Sequence, residues 1–430
     1  MSRINRGIAV FLIYSAMAFA AWLPHSLHPG TSITDSWDGC LNAWILNWNL
    51  HQMDTGFPGG LTGYFNGNIM APHPSTLAYS EHMLGVALAA WPLHRLVVPG
   101  NPLVIFNIMH LLSYVLCAGA MYLFIRRIGG SAPAGFAAGI MWAFSPWRYS
   151  QHGHFQLMSL YWLPLTLWAL TAWIRTGKRR WPIAAAVFHL MQILSSYYLA
   201  VFHGVAIALY SIAVCIAPPV PGARKRLGIA LMVLAGVSLL ILPVTWPYFD
   251  IHESLAIGET EATVRALSAH PAMYLLPQPS GPVYRALLNV RNPGRYPPEQ
   301  QVFPGFIVLA GAVIACVAAL CRRRKSSAGR SAAAGFALLL ILSGFVLSLG
   351  PGPDGGPVLP FHWFSRFVPG FGVVRVPARF AVLVQTGLVI AAAIGLDLAM
   401  RRPRNRRWIA GLAGIAVFLE TAIWPAPSTR

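Results

Sequence analysis

The chain has 430 residues, 56% of them hydrophobic and only 10% charged, with a mean hydropathy of +0.57. That balance excludes a soluble globular domain and indicates a polytopic membrane protein. The net charge of +19 does not indicate nucleic acid: the basic residues fall in short clusters between apolar stretches, as cytoplasmic loops do. The 5 cysteines lack paired spacing, so neither a disulfide framework nor a metal knuckle is implied.

Arg3 and Arg6 precede the first apolar stretch, 7–23, and place the N-terminus in the cytoplasm. Without a convincing cleavage site, this stretch reads as a retained span. It delivers 35–39 (DSWDG) to the outer side, a concentration of acids in a chain with only 12 Asp and Glu. In 40–53, helical spacing puts Leu41, Trp44, Ile45 and Trp48 on one face and Asn42, Asn49 and Gln52 elsewhere. This predicts an amphipathic helix at the water–lipid boundary. Segment 82–98 carries Pro92, His94 and Arg95 and reads as a second interfacial helix, whereas 102–125 crosses inward to Arg126 and Arg127.

The remaining predicted spans are 132–144, 157–174, 182–194, 199–216, 227–246, 303–320, 332–349, 380–400 and 408–423. The expectation is an all-α integral membrane bundle of about 11 transmembrane helices, forming one domain over 1–430 without a soluble appendage. Its outer loops are 24–101, 248–301 and 350–379, and no internal repeat or broken span is evident. The basic clusters 126–127, 175–180, 224–226, 322–330 and 401–407 all fall inside. Of the 12 acids, Asp35, Asp38, Asp54, Glu81, Asp250, Glu253, Glu259, Glu261, Glu299 and Asp354 fall outside, leaving Asp397 and Glu420 in spans.

An outer surface that gathers carboxylates, His and Arg reads as a site. Asp38 either caps the helix that follows it or serves as a chemical carboxylate, with Asp35 as its alternative. Glu81 opens the second interfacial helix, where it caps, orients an acceptor or shares a metal with Asp38. Arg148, His152, His154 and Gln156 lie together after the 132–144 span. Two His at i, i+2 ligate a metal on an extended strand but diverge on a helix. Arg375 and Arg379 flank Pro377 at the outer mouth of a span, suited to gripping a phosphate; anchoring to lipid headgroups is the plain alternative. Arg265, His270 and Tyr274 are weaker candidates of the same kind. Tyr197 and Tyr198 read as aromatic-belt residues. Asn107, His110, His189, Gln192, His203 and Gln385 lie inside spans and are expected to face helix neighbours.

Several blocks carry a family resemblance: 38–44 (DGCLNAW), 72–85 (PHPSTLAYSEHMLG), 144–159 (FSPWRYSQHGHFQLMS), 195–198 (SSYY), 268–279 (SAHPAMYLLPQP) and 375–380 (RVPARF). Their order resembles the GT-C superfamily of polytopic membrane glycosyltransferases, and specifically a bacterial branch of GT-C-like membrane proteins. One departure is Trp37-Asp38-Gly39, where relatives usually read Gly-Asp-Pro. The resemblance implies a sugar taken from a polyprenyl-phosphate-linked donor and given, with inversion, to a lipid, glycan or protein acceptor. The reaction would lie on the periplasmic face of a bacterial inner membrane. It implies Asp38 as base, with Asp35 and Glu81 as further catalytic candidates. For substrate binding it implies His154, Arg148, His152, Gln156, Arg375, Arg379, Tyr274 and His270. Participation of a divalent cation, Mg or Mn, is left open. The expected partners are the donor, membrane lipids and the acceptor, with no nucleic acid. Two rival readings stand beside this one: a transporter or flippase of a lipid-linked glycan, and a non-catalytic assembly subunit.

Overall fold

The computed structural model describes residues 3–97, 101–254, 260–277, 283–284, 286, 297–321, 328–368, 370–400 and 406–421, and every described element is helical. Parts of the segment 248–301, Glu259 included, and of the basic clusters 322–330 and 401–407 lie outside the described residues.

The N-terminal half begins with α1 (Arg3–Ala21), α2 (Asp38–Thr55), α3 (Gly60–Phe65) and α4 (Leu84–Val97). It continues through α5 (Pro102–Ile128), α6 (Ala132–Ala143), α7 (Pro146–Ser150), α8 (Trp162–Thr176) and α9 (Arg180–Ser195). Then come α10 (Tyr197–Ile216), α11 (Ala223–Leu240), α12 (Leu242–Ser254) and α13 (Glu261–Ala266). The C-terminal helices are α14 (Phe306–Cys321), α15 (Ala328–Ser348), α16 (Pro360–Phe367), α17 (Ala381–Ala399) and α18 (Arg406–Thr421).

Helix α5 is the central post of the first half, packing on α1, α6 and α8. Helix α17 plays that part in the second, between α14 and α15. Small residues bring these backbones together: a Cβ on Gly311 would lie 2.8 Å from the Ala392 Cβ, and one on Gly387 2.5 Å from the Ala337 carbonyl oxygen. In lipid, where burial of apolar surface from water drives little between helices, such close contact supplies the packing energy.

Five helical segments are long and apolar enough to cross a membrane: Pro102–Ile128, Phe155–Thr176, Tyr197–Ile216, Ser331–Ser348 and Pro377–Ala399. The pair α11–α12 makes a sixth if its two parts count as one span. Gly7–Ala21, Phe306–Ala318 and Trp408–Thr421 are shorter apolar helices. Eleven full-length spans are therefore not what the described helices display. Helix α6 has 12 residues, about 18 Å of rise against a hydrocarbon core of about 30 Å. The unbroken span expected over 227–246 is instead bent by 54° between Leu240 and Leu242. Pro243 and Pro247 follow the bend, and each removes an amide donor there.

Helix α2 reverses the expected polarity. Its amide side chains face the protein: Asn49 Nδ2 donates to the Ile45 and His82 carbonyls at 2.8 and 2.7 Å, and Tyr64 OH donates to Asn49 Oδ1 at 2.7 Å. Ile45, Leu46 and Leu50 are buried with them, while Leu41 is exposed and Trp44 and Trp48 are partly so. Periodicity records only apolar positions; it cannot see that loop carbonyls make the inward side a good place for amides.

Candidate active site

In the loop before α2 the two acids make different contacts. Asp35 Oδ1 accepts from the amides of Trp37 and Gly39 at 3.0 and 3.1 Å. Asp35 therefore does the turn-stabilising work that sequence reasoning offered to Asp38. Asp38 is the first residue of α2, makes no cap hydrogen bond, and leaves its side chain 55% exposed. Its Oδ2 lies 3.4 Å from His154 Nε2.

His154 reaches Asp38 because the preceding turn passes close to the acidic loop. Asn42 of α2 donates to the Gly153 carbonyl at 3.0 Å, and a Cβ on Gly153 would sit 3.2 Å from Asp35 Cγ. Glu299, on the short 3-10 turn Pro298–Gln300, brings Oε1 to 4.0 Å from the same His154 nitrogen. Gln151 ties the parts together: its Nε2 donates to the Pro298 carbonyl at 3.0 Å, and its Oε1 accepts from Arg379 Nε at 3.2 Å.

Arg379 is buried, with its guanidinium 5.1 Å from the Tyr198 ring centroid. Tyr198 OH accepts from the Val376 amide at 2.6 Å, which fixes the chain between Arg375 and the 3-10 turn Pro377–Phe380 that carries Arg379. Glu81 does not cap its own helix, as one sequence reading had it. It accepts from Ser196 Oγ at 2.8 and 3.0 Å and from the Tyr198 amide at 2.9 Å, so it serves the first turn of α10. Tyr198 is thus a structural link between Glu81 and Arg379 rather than a belt aromatic. The signal was present in the SSYY block, but nothing local shows that Ser196 faces a carboxylate 115 residues earlier.

The electrostatics follow from this crowding. Burial, and then the neighbouring Asp35, raise the Asp38 carboxyl above its usual range, against the pull of Arg379 and Arg375. Burial, then Arg379 and Arg375, lower the His154 imidazole to about 3. His154 is therefore neutral at ordinary pH, and its approach to Asp38 is a polar contact rather than an ion pair. Burial also raises Glu81, opposed by the hydrogen bonds from Tyr198 and Ser196. Arg375 is exposed and close enough to act on both Asp38 and His154.

The other candidates make the following contacts. Arg148 is fully buried, donates to the Ala143 carbonyl and Ser113 Oγ at 3.0 Å each, and lies 4.1 Å over Tyr114. His152 Nδ1 bonds the Tyr149 carbonyl at 2.7 Å, so the two His do not converge. Gln156 Oε1 is buried without a protein partner. Tyr274 donates to Ser348 Oγ at 2.8 Å, and His270 Nδ1 accepts from the Ala272 amide at 3.3 Å. Arg265 pairs with Glu261 and Asp354 at 2.5 and 2.7 Å. Among the described residues, no group of three or more His, Cys, Asp or Glu is arranged to hold a metal ion. With one Asp35 oxygen already on two amides and His154 facing the carboxylates at 3.4 and 4.0 Å, the donor set does not fit a cation as it stands.

The fold is similar to that of oligosaccharyltransferase structures from Archaeoglobus fulgidus. Archaeal oligosaccharyltransferase AglB in complex with an inhibitory peptide and a dolichol-phosphate shares 15% identity at a TM-score of 0.55, with 99% of this chain and 56% of that chain covered. The apo form gives 14% identity and a TM-score of 0.56, with 99% and 56% covered. A complex with Zn and sulfate gives 15% and 0.52, with 97% and 53% covered. The chain thus spans about half the length of the structures it matches, and the likeness is one of fold alone. No curated protein matches the sequence. The family model described as "Domain of unknown function (DUF6311)" matches residues 12–420, and the chain belongs to that family.

Proposed function

We propose that the protein is a membrane glycosyltransferase that moves a sugar from a polyprenyl-phosphate-linked donor to an acceptor hydroxyl on a lipid, glycan or protein. The observation that carries this reading is the convergence of an uncapped, half-exposed Asp38 with Arg375 and Arg379 from the far end of the chain. The GT-C-like fold, seen elsewhere with a dolichol-phosphate bound, supports the choice of donor class.

In this mechanism the acceptor oxygen attacks the anomeric carbon as Asp38 takes its proton. The bond from that carbon to the phosphate oxygen breaks, and the electron pair leaves on the phosphate against Arg375 and Arg379. Attack opposite the leaving group inverts the centre. A carboxylate of raised pKa is the stronger base, which suits Asp38 to the task. Neutral His154 offers a hydrogen bond to sugar or phosphate. Glu81 acts at one remove, as a positioning residue that holds Ser196 and Tyr198 and through them the turn of Arg379.

The proposed setting is the bacterial inner membrane. About eleven crossings, several of them through short or bent helices, would put this site on the periplasmic face. Cys40, exposed two residues after Asp38, tests the orientation. A membrane-impermeant maleimide should label it in intact spheroplasts, and protection until lysis would reverse the topology.

The reaction itself is tested in membranes holding the wild type or Asp38→Asn, given radiolabelled polyprenyl-phosphate sugars. Transfer that collapses in the folded variant supports the reading. Transfer that survives moves the base elsewhere. Movement of labelled lipid across the bilayer without any transfer would favour a flippase.

A further inference from the structure

At the opposite end of the bundle, three basic stretches converge: Arg126 and Arg127 closing α5, 175–180 between α8 and α9, and 224–226 opening α11. Hydrogen bonds hold them in one patch. Arg175 donates to the Arg127 and Ile128 carbonyls at 2.9 and 3.5 Å, Arg226 to the Ile174 carbonyl at 2.7 Å, and Trp173 Nε1 to the Arg226 carbonyl at 2.6 Å. The Arg127 guanidinium lies 5.5 Å from the Trp168 ring centroid and 5.1 Å from that of Trp181, and Arg180 lies 4.9 Å from the latter. Arg175 and Arg180 both act on Arg127 as like charges. Among the described residues no salt bridge reaches any cation of this patch.

Arg175 is also on the wall of a shallow groove that opens beside the patch. Apart from Thr171 its other walls are largely apolar and come mainly from α5, α10 and α15, among them Phe124, Ile128, Tyr210, Val214 and Phe336. A neighbouring shallow recess shares Ile128 and Ala333 with it and runs toward Asp397. That acid is already engaged, accepting from the Ser131 amide at 3.2 Å.

Either feature alone is ordinary. Cations at this end are what the positive-inside rule predicts, and they need no specific ligand. A shallow apolar groove between helices is filled by any lipid. Together they make a different demand. Guanidiniums held together without a carboxylate gain from a phosphate they can share, and the groove beginning at Arg175 takes hydrocarbon. A molecule that supplies both in one piece is a phospholipid, and basic pockets between spans on the cytoplasmic side are suited to anionic headgroups.

We infer that this groove and its rim hold one anionic phospholipid of the adjoining leaflet, with an acyl chain lying along the groove formed by α5, α10 and α15 and its phosphate against Arg127, Arg175 and Arg180. The site is separate from the proposed reaction and stands whether or not sugar transfer is found.

The test is native mass spectrometry of the full chain purified in a non-ionic detergent, with dioleoylphosphatidylglycerol or dioleoylphosphatidylcholine added to the micelles. The expected result is a retained phosphatidylglycerol adduct at several times the occupancy of phosphatidylcholine. Arg127→Gln with Arg180→Gln should bring the two lipids level, while the Lys substitutions at both positions should keep most of the preference. Ala333→Leu, which narrows the groove without touching charge, should lower both adducts. Equal retention of the two lipids by the wild type overturns the inference. So does a preference that survives the double Gln substitution in protein eluting as the wild type does. Displacement of phosphatidylglycerol by glycerol 1-phosphate at equal concentration would also overturn it, because the groove would then contribute nothing.

Discussion

The two ends of the helical bundle handle charge in opposite ways. At the Asp38 end, carboxylates, imidazole and guanidinium from five distant segments meet, so that both signs of charge share one site. Asp38 and Glu299 flank His154, Gln151 bridges to Arg379, and Glu81 anchors Ser196 and the Tyr198 amide. At the other end the described ionic side chains are almost all cations, steadied by backbone carbonyls and Trp rings. The difference is physical. A mixed cluster stores opposite charges close together, so small displacements of substrate or proton change its energy strongly, as chemistry requires. A cluster of one sign can only wait for a counter-charge from outside.

The comparison can be broken most severely at Asp38. Asp38→Asn keeps shape and removes the proton acceptor, and sugar transfer should fall by about 10²–10⁴-fold. Scintillation counting of product in membranes reads this directly. An undiminished rate would mean the mixed cluster is merely structural. Arg379→Gln comes next, with an expected loss of roughly 10²-fold in kcat/KM for the donor. Arg375→Gln should cost less, because that side chain is exposed and a salt-screened cation contributes less.

A fourth substitution sharpens the role of Glu81. Ser196 both donates to Glu81 and accepts from the Leu199 amide at 3.1 Å as the cap of α10. Ser196→Ala should therefore cost about 1–2 kcal/mol in thermal unfolding of the detergent-solubilised protein. An unchanged melting temperature would leave Glu81 without its positioning function.

Asp35→Asn separates the two acids of the first loop. The amide oxygen still accepts from Trp37 and Gly39, but the like charge beside Asp38 is gone. Asp38 must be ionised to act, so the rate falls as pH drops through its raised pKa. Removing Asp35's charge lowers that pKa, and the acid limb of the pH–rate profile should move to lower pH. A limb that stays in place would remove Asp35 from the electrostatic account. The smallest effect belongs to the cationic end: Trp181→Leu should cost only about 0.5–1 kcal/mol in stability through the lost cation–π contacts.

The polytopic helical class was legible in the sequence, because the bilayer demands apolar runs of a set length and composition reports them directly. The gathering of most acids toward one end and of basic clusters toward the other was legible too, and so were the polar blocks holding Asp38, Glu81, His154 and Arg379, which the fold brings near one another. What local pattern could not decide was the assignment within each block. Asp35 and Asp38 are three positions apart and chemically identical; only the path of the loop puts one on two amides and leaves the other open. Asn42 and Asn49 look like a water-facing stripe until the loop carbonyls that receive them are in place. Arg148 looks as available as Arg379, yet it is locked on the Ala143 carbonyl and Ser113, and only Arg379 turns toward the carboxylates. Hydrophobic burial follows from the identity of a residue. Hydrogen bonding and charge pairing depend on which partner arrives from elsewhere in the chain, and the tertiary structure alone decides that.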